Sequence, residues 1–312
     1  MVVQDRRGGA AAAVGVACGT GLAVGLLTTG CSTVGAAAND QASPARVATA
    51  SAHASPGRDG ATSGHASSAS PGRDAADEVR HSADALVRAG SATVRTAMET
   101  ASGGTRVAIR GTGRYDFRSG TGELVLVLPD PAGTSSGGHR PITEILAPGA
   151  LYMKNRGAGV PADKWVRVDT GSLADGNLVT GGATDPLAAA ELLRGARDVT
   201  YEGKERLDGV PVRHYRGVTD IGRAAGHASG RTRSALAAAE KGFTTDAVPF
   251  DAYLDEKGRL RKVRQRFHFA NGVPKGTSVT STTELSGFGA ETVVRVPDEP
   301  DIYTGKIASA KQ

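Results

Sequence analysis

The sequence predicts an α+β fold, one large antiparallel sheet with helices against one face. Three observations carry this. Most segments from residue 106 onward alternate apolar and polar side chains with a period of two, the pattern of a strand with one buried face. Successive segments are joined by turn chemistry, Asp208-Gly209 and Asp255-Glu256-Lys257-Gly258, so they pair as hairpins. Three runs keep helical spacing instead, and a few helices on a sheet face make a layered α+β domain.

Taken in order, residues 75–100 read as a helix. Val79, Ala83, Leu86, Val87, Val94, Ala97 and Met98 recur at three- and four-residue steps, and Gly103-Gly104 stops the run. Arg106-Val107-Ala108-Ile109-Arg110 then turns valine and isoleucine one way and arginine the other, and the alternation continues through Tyr115 and Phe117. Leu124–Leu128 is an apolar strand closed by Pro129-Asp130-Pro131, followed by strands at 143–146, 151–154 and 164–169, the last with Trp165. Asp185 suits an N-cap and Pro186 a first turn for a helix at 186–193. Strands at 199–204 and 212–218 make one hairpin, an alanine-rich helix spans 231–241, and 248–254 with 260–269 makes a second hairpin. A Thr/Ser-rich strand at 278–285 and a polar tail from Asp298 complete the chain.

The N-terminus carries a different message. Arg6-Arg7 precede an uncharged run, Gly8–Leu27, with Thr28-Thr29-Gly30 ahead of Cys31. A basic segment, an apolar segment and small residues at a cut describe an export signal over residues 1–30. The segment resembles the bacterial lipobox, which implies lipidation of Cys31, although Thr28 stands where that motif usually has leucine. An uncleaved anchor and a plain secretory cut elsewhere are the alternatives, and all three place the remainder outside the cytoplasm. Residues 31–74 are low in large apolar groups and repeat Ala-Ser-Pro-Gly-Arg-Asp at 54–59 and 69–74, a composition that cannot offset ordering entropy and reads as a flexible tether.

Composition narrows the function. The chain has 312 residues, a net charge of +5 and two cysteines. Cys18 falls inside the signal, which leaves no pair for a disulfide once Cys31 is lipidated. The basic excess is too small to argue for nucleic acid. No cofactor or metal motif appears, and no serine acyl-enzyme pairing. Gly133-Thr134-Ser135-Ser136-Gly137 fits a hydrolase elbow in letters, but it lies in a Pro/Gly loop rather than between strand and helix. A non-enzymatic protein is expected.

Three segments carry a resemblance: 164–169 (KWVRVD), 199–220 (VTYEGKERLDGVPVRHYRGVTD) and 248–267 (VPFDAYLDEKGRLRKVRQRF). With the lipobox and tether they resemble the LppX/LprG lipoproteins of actinobacteria, relatives of the carrier LolA, over about 75–297. The resemblance implies a strongly curved, unclosed half-barrel with helices across its concave face. It also implies a membrane-anchored lipoprotein on the extracytoplasmic face, with space for acyl chains between sheet and helices. It transfers no catalytic or lining residues.

The alternation itself nominates an inward set: Val107, Ile109, Leu126, Leu146, Met153, Trp165, Val218, Leu254, Phe267 and Phe269. The small alanines of the helices either bring helix and sheet close or leave a void for a lipid or other amphiphile; the alternative is a filled core and a scaffold that binds a protein or wall polymer. The most basic run, Arg259, Arg261, Lys262, Arg264 and Arg266, is either a solvated face or a contact for an anionic membrane.

Overall fold

A computed structural model describes residues 71–102, 104–129, 140–157, 159–269 and 277–305. The signal, Cys31, nearly all of the tether, the Gly133–Gly137 loop and the last residues lie outside these. Eleven antiparallel strands form one open sheet in the order β6-β5-β4-β3-β2-β1-β11-β10-β9-β8-β7. In chain order the strands are β1 Ser91–Ser102, β2 Thr105–Asp116, β3 Thr121–Val127, β4 Ile142–Ala147, β5 Ala150–Lys154, β6 Trp165–Asp169, β7 Ala196–Leu207, β8 Val210–Asp220, β9 Ala247–Leu254, β10 Leu260–Phe269 and β11 Thr277–Ser286. The helices are α1 Pro71–Arg80, α2 Ser82–Ala89, α3 Pro186–Leu192, α4 Ile221–His227 and α5 Arg233–Gly242.

The expected helix at 75–100 is therefore corrected. Its first part forms α1 and α2, and Gly90, at φ 89°, ends the helical run. Ser91–Ser102 is instead the strand at the centre of the sheet, paired with β2 on one side and β11 on the other. Thr93, Val94, Thr96 and Thr100 are β-branched and favour that backbone. Met98 and Val94 lie two strand pairs apart on one face, so their four-residue spacing serves a strand as well as a helix. Helix α4 went unforeseen, because Gly222 and Gly226 dilute its periodicity.

Sheet closure is absent, so both edges are blunted in other ways. On β6, Tyr303 donates its amide to the Trp165 carbonyl at 2.8 Å, and Ile302 bridges Trp165 in parallel. The first residues of the expected polar tail thus lie along the sheet edge. On β7 the register shifts twice, and Glu202, Lys204, Glu205 and Arg206 stud the strand.

The cover over the inner face comprises the five helices and the irregular segment 173–185. Close approach is built in with α5: a Cβ on Gly176 would stand 1.9 Å from the Ala235 carbonyl oxygen, and Gly176 adopts φ +58°. Asp185 caps α3, accepting from the amides of Leu187 and Ala188. Arg194, just beyond α3, binds the cover together. It donates to Asp84 of α2 at 2.6 Å and to Glu191 of α3, and Glu191 also accepts the Ser229 amide from the α4–α5 connection at 3.2 Å. The Asp84 carboxyl is held below its ordinary range by the Arg194 hydrogen bond.

Glu191 is 1% exposed, so Arg194→Leu strands a buried carboxylate. The expected loss is about 3–5 kcal/mol, read as a lower urea midpoint with unchanged slope; a loss below about 1 kcal/mol shows that the cover holds without this clamp.

Candidate functional site

Strand register decides which side chains face the cover. Cross-strand partners share a face, so one inner row runs Leu285–Val94–Gly113–Leu124–Glu144–Met153–Val166 across seven strands. The next runs Val263–Thr283–Thr96–Gly111–Leu126–Ile142. A third carries Phe250, Gln265, Ser281, Met98 and Ile109.

Of the residues nominated from alternation, Leu126, Leu146, Met153, Leu254 and Phe267 are buried on this inner face, and Ile109 is half-buried against the same cluster. Val107 shares the face of Ile109 but lies past the cover, 42% exposed. Two residues face the other way. Trp165 pairs with Lys154, whereas the inner residue Met153 pairs with Val166. The indole packs outside with Ile145, Tyr152, Val294 and Ile302. Val218 opposes Pro249, whereas the inner pair is Gly217 with Phe250. Phe269 is at an inner register position opposite Thr277, and its side chain lies outside the described residues.

The basic run divides as well. Arg259 pairs with Asp255 at 2.8 Å and stacks on Phe288; Arg261 also lies over Phe288. Lys262 pairs with Glu284 at 3.0 Å. Arg264 and Arg266 remain exposed on the outer face.

What alternation missed is polar. Glu144 is fully buried among the inner rows, and neither carboxylate oxygen has a hydrogen-bond partner among the described residues. Thr96, Thr283 and Asn177 also bury an oxygen without a partner. In Ile142-Thr143-Glu144-Ile145-Leu146 either face could be the apolar one, so the sequence does not say that glutamate turns inward. Its neighbours across the ladder are Leu124 and Met153. Burial pushes the Glu144 carboxyl up to about 8, and the Arg156 charge offsets this only partly. Arg156 is engaged elsewhere, donating to the carbonyls of Gly181 at 3.1 Å and Thr180 at 3.5 Å in the cover segment.

Thr219 of β8 likewise buries an unpartnered hydroxyl, whereas several other interior polar groups are matched. Gln265 donates to the Ala189 carbonyl of α3 at 3.0 Å, and the hydroxyls of Thr184 and Ser281 meet at 2.7 Å. Tyr115 donates to Asp185 at 3.2 Å, and burial raises the pKa of both groups. Beside this pair a recess of about 30 Å³ opens between the β2–β3 and β4–β5 turns, α3 and α5. It admits about two waters, against roughly 300–1,000 Å³ for a small-molecule pocket.

No family model matches the chain, and no curated protein matches it. Among solved structures it is similar to the Mycobacterium tuberculosis lipoprotein LppX, at 13% identity and a TM-score of 0.44, over 72% of this chain and 99% of that one. It is similar also to LprF from Mycobacterium bovis, at 15% identity and 0.40, over 73% and 99%. A LolA-superfamily protein from Nitrosomonas europaea follows at 12% identity and 0.31, over 73% and 97%. These are the proteins the three sequence segments resemble; such low values add nothing to what the strand order already shows.

The raised Glu144 pKa fixes a pH dependence. Between pH 4.5 and about 8 the folded state keeps a proton that the unfolded state releases, so stability falls as pH rises through that window and levels above it. Glu144→Gln flattens this slope in thermal melts taken across the window; an unchanged slope shows that Glu144 is ionised when folded.

Proposed function

We propose that this chain is an exported, non-enzymatic lipoprotein, anchored at the extracytoplasmic face of the cell membrane by lipid on Cys31, whose half-barrel binds an amphiphile between sheet and helices. The observation that carries the reading is the set of buried side-chain oxygens without partners among the described residues: Glu144, Thr96, Thr219 and Thr283 on the inner face and Asn177 in the cover. A buried polar group without a partner costs about 1–3 kcal/mol. A solid apolar core has no use for five such residues, whereas an amphiphile brings both methylenes for the leucines and hydrogen-bonding groups for the orphans. Each methylene moved from water into protein contributes about 0.8 kcal/mol, so an acyl chain can displace small side-chain contacts of the alanine-rich cover. The recess beside Tyr115 holds about 30 Å³ and has to widen to take an acyl chain.

That small volume favours a second reading, a lipoprotein with a filled core that binds a protein or wall polymer through its surface. Native mass spectrometry of the chain extracted from membranes separates the two. Co-purifying lipid retained after Cys31→Ser, together with uptake of a fluorescent fatty acid that weakens in Glu144→Leu, supports the amphiphile reading. Neither lipid nor uptake leaves the filled-core protein.

The anchor is tested separately. Cys31→Ser is expected to release the protein from the membrane fraction or leave its signal uncut; a normally cleaved, membrane-bound product overturns lipidation.

A further inference from the structure

The outer face of the central strands carries arginines that hold no ion pair among the described residues. Register places Arg264 of β10, Thr282 of β11, Ala97 of β1, Arg110 of β2 and Val127 of β3 in one row. The flanking rows add Arg266 beside Thr280, and Arg114 beside Thr93. Strands stand about 4.8 Å apart, so Arg264 and Arg110 are about 14 Å apart with only short side chains between them. No carboxylate lies within ion-pair distance of Arg110, Arg114, Arg264 or Arg266 among the described residues.

Arg80, Arg194, Arg197, Arg213, Arg216 and Arg259 each hold a carboxylate. On the outer face itself, Glu284 is taken by Lys262 and Glu99 lies 3.9 Å from Arg106. Glu123 stands opposite Arg114, Asp251 of β9, which already holds Arg216, stands opposite Arg264, and Asp208 lies 4.0 Å from Arg95. These outer rows therefore carry more cations than acids. Beside them β3 exposes two valines, Val125 at 38% and Val127 at 56%. The described helices pack on the inner face; among the described residues, 294–303 lie along the β4–β6 end of the outer one and Asp208 of the β7–β8 turn approaches Arg95 of β1.

We propose that this face of β10, β11, β1, β2 and β3 docks on an anionic lipid bilayer. The chemistry selects the partner. Unpaired guanidiniums match phosphate headgroups, and the adjoining valines suit the apolar boundary just beneath them, a pairing that a purely polar surface has no use for. Threonine, serine and alanine between the arginines let the guanidiniums reach a broad surface. The proposal does not depend on amphiphile binding inside the half-barrel.

The test is vesicle co-sedimentation of the full chain, comparing mixed phosphatidylglycerol and phosphatidylcholine vesicles with phosphatidylcholine alone. The neutral vesicles measure whatever the N-terminal segment contributes. The expected ratio of the two affinities drops about fivefold for each of Arg110→Thr and Arg264→Thr and about twenty-five-fold for both, at about 1 kcal/mol per cation near an anionic surface. Lysine at the same positions restores most of it, and salt erodes it. Arg197→Thr, which removes an arginine paired with Asp198, leaves the ratio unchanged. A ratio unaltered in the double variant, with its melting temperature preserved, overturns the proposal. So does arginine-dependent retention on a soluble polyanion such as heparin without vesicle binding, which assigns the face to an extended polyanion.

Discussion

An open sheet of eleven strands has one apolar face, and water must be kept from it along its whole length. A closed barrel would bury that face against itself; here helices and the irregular segment 173–185 have to supply the other half of the core. Short helices cannot do so by propensity, since helices of seven to ten residues are marginal on their own. Their positions come from tertiary contacts: Asp185 capping α3, Gln265 reaching the α3 backbone, and Arg194 joining α2, α3 and the α4–α5 connection. The Arg194 clamp is the more telling because Glu191 is buried. Its charge is tolerable only while the guanidinium and the Ser229 amide face it.

The same interior holds a conflict. Glu144 stands among leucines and methionine with its neighbouring cation committed to the cover. A protonated carboxyl softens that conflict without removing it, since the neutral group still lacks hydrogen bonds. Stability alone would favour an apolar residue there. A buried carboxyl of this kind calls for a partner that the described residues do not supply, and that is the ground of the amphiphile binding proposed above. Arg156 ties the carboxyl and the cover together, because it holds the cover segment while being the charge that faces Glu144.

The two faces of the sheet then divide the work by chemistry. Inside, rows of leucine, phenylalanine and valine exclude water, with a few hydroxyls and one carboxyl among them. Outside, threonine and serine alternate with arginine on the central strands. A period of two makes this division automatic, because each residue added to a strand goes to the face opposite its predecessor.

Much of this was written in the chain itself. Hairpins around Asp208-Gly209 and Asp255–Gly258, the capped helix at Pro186 and a one-sided antiparallel sheet all follow from local turn chemistry and alternation, whereas the half-barrel came with the family resemblance. Local pattern failed wherever two periods fitted or a distant partner chose. Residues 91–102 satisfy helical spacing through Val94 and Met98, yet become the central strand because β2 and β11 offer hydrogen-bond partners on both sides. Trp165 is apolar and sits in a strand, but its neighbour Val166 takes the inner position, and Ile302 from the far end of the chain covers the indole instead. Sequence by itself determined that there would be a one-sided sheet with helices upon it. Which face of Ile142–Ala147 turned inward, carrying Glu144 with it, and which arginines were left unpaired were decided only by the assembled sheet, because side-chain direction in a strand is set by partners that sequence spacing does not name.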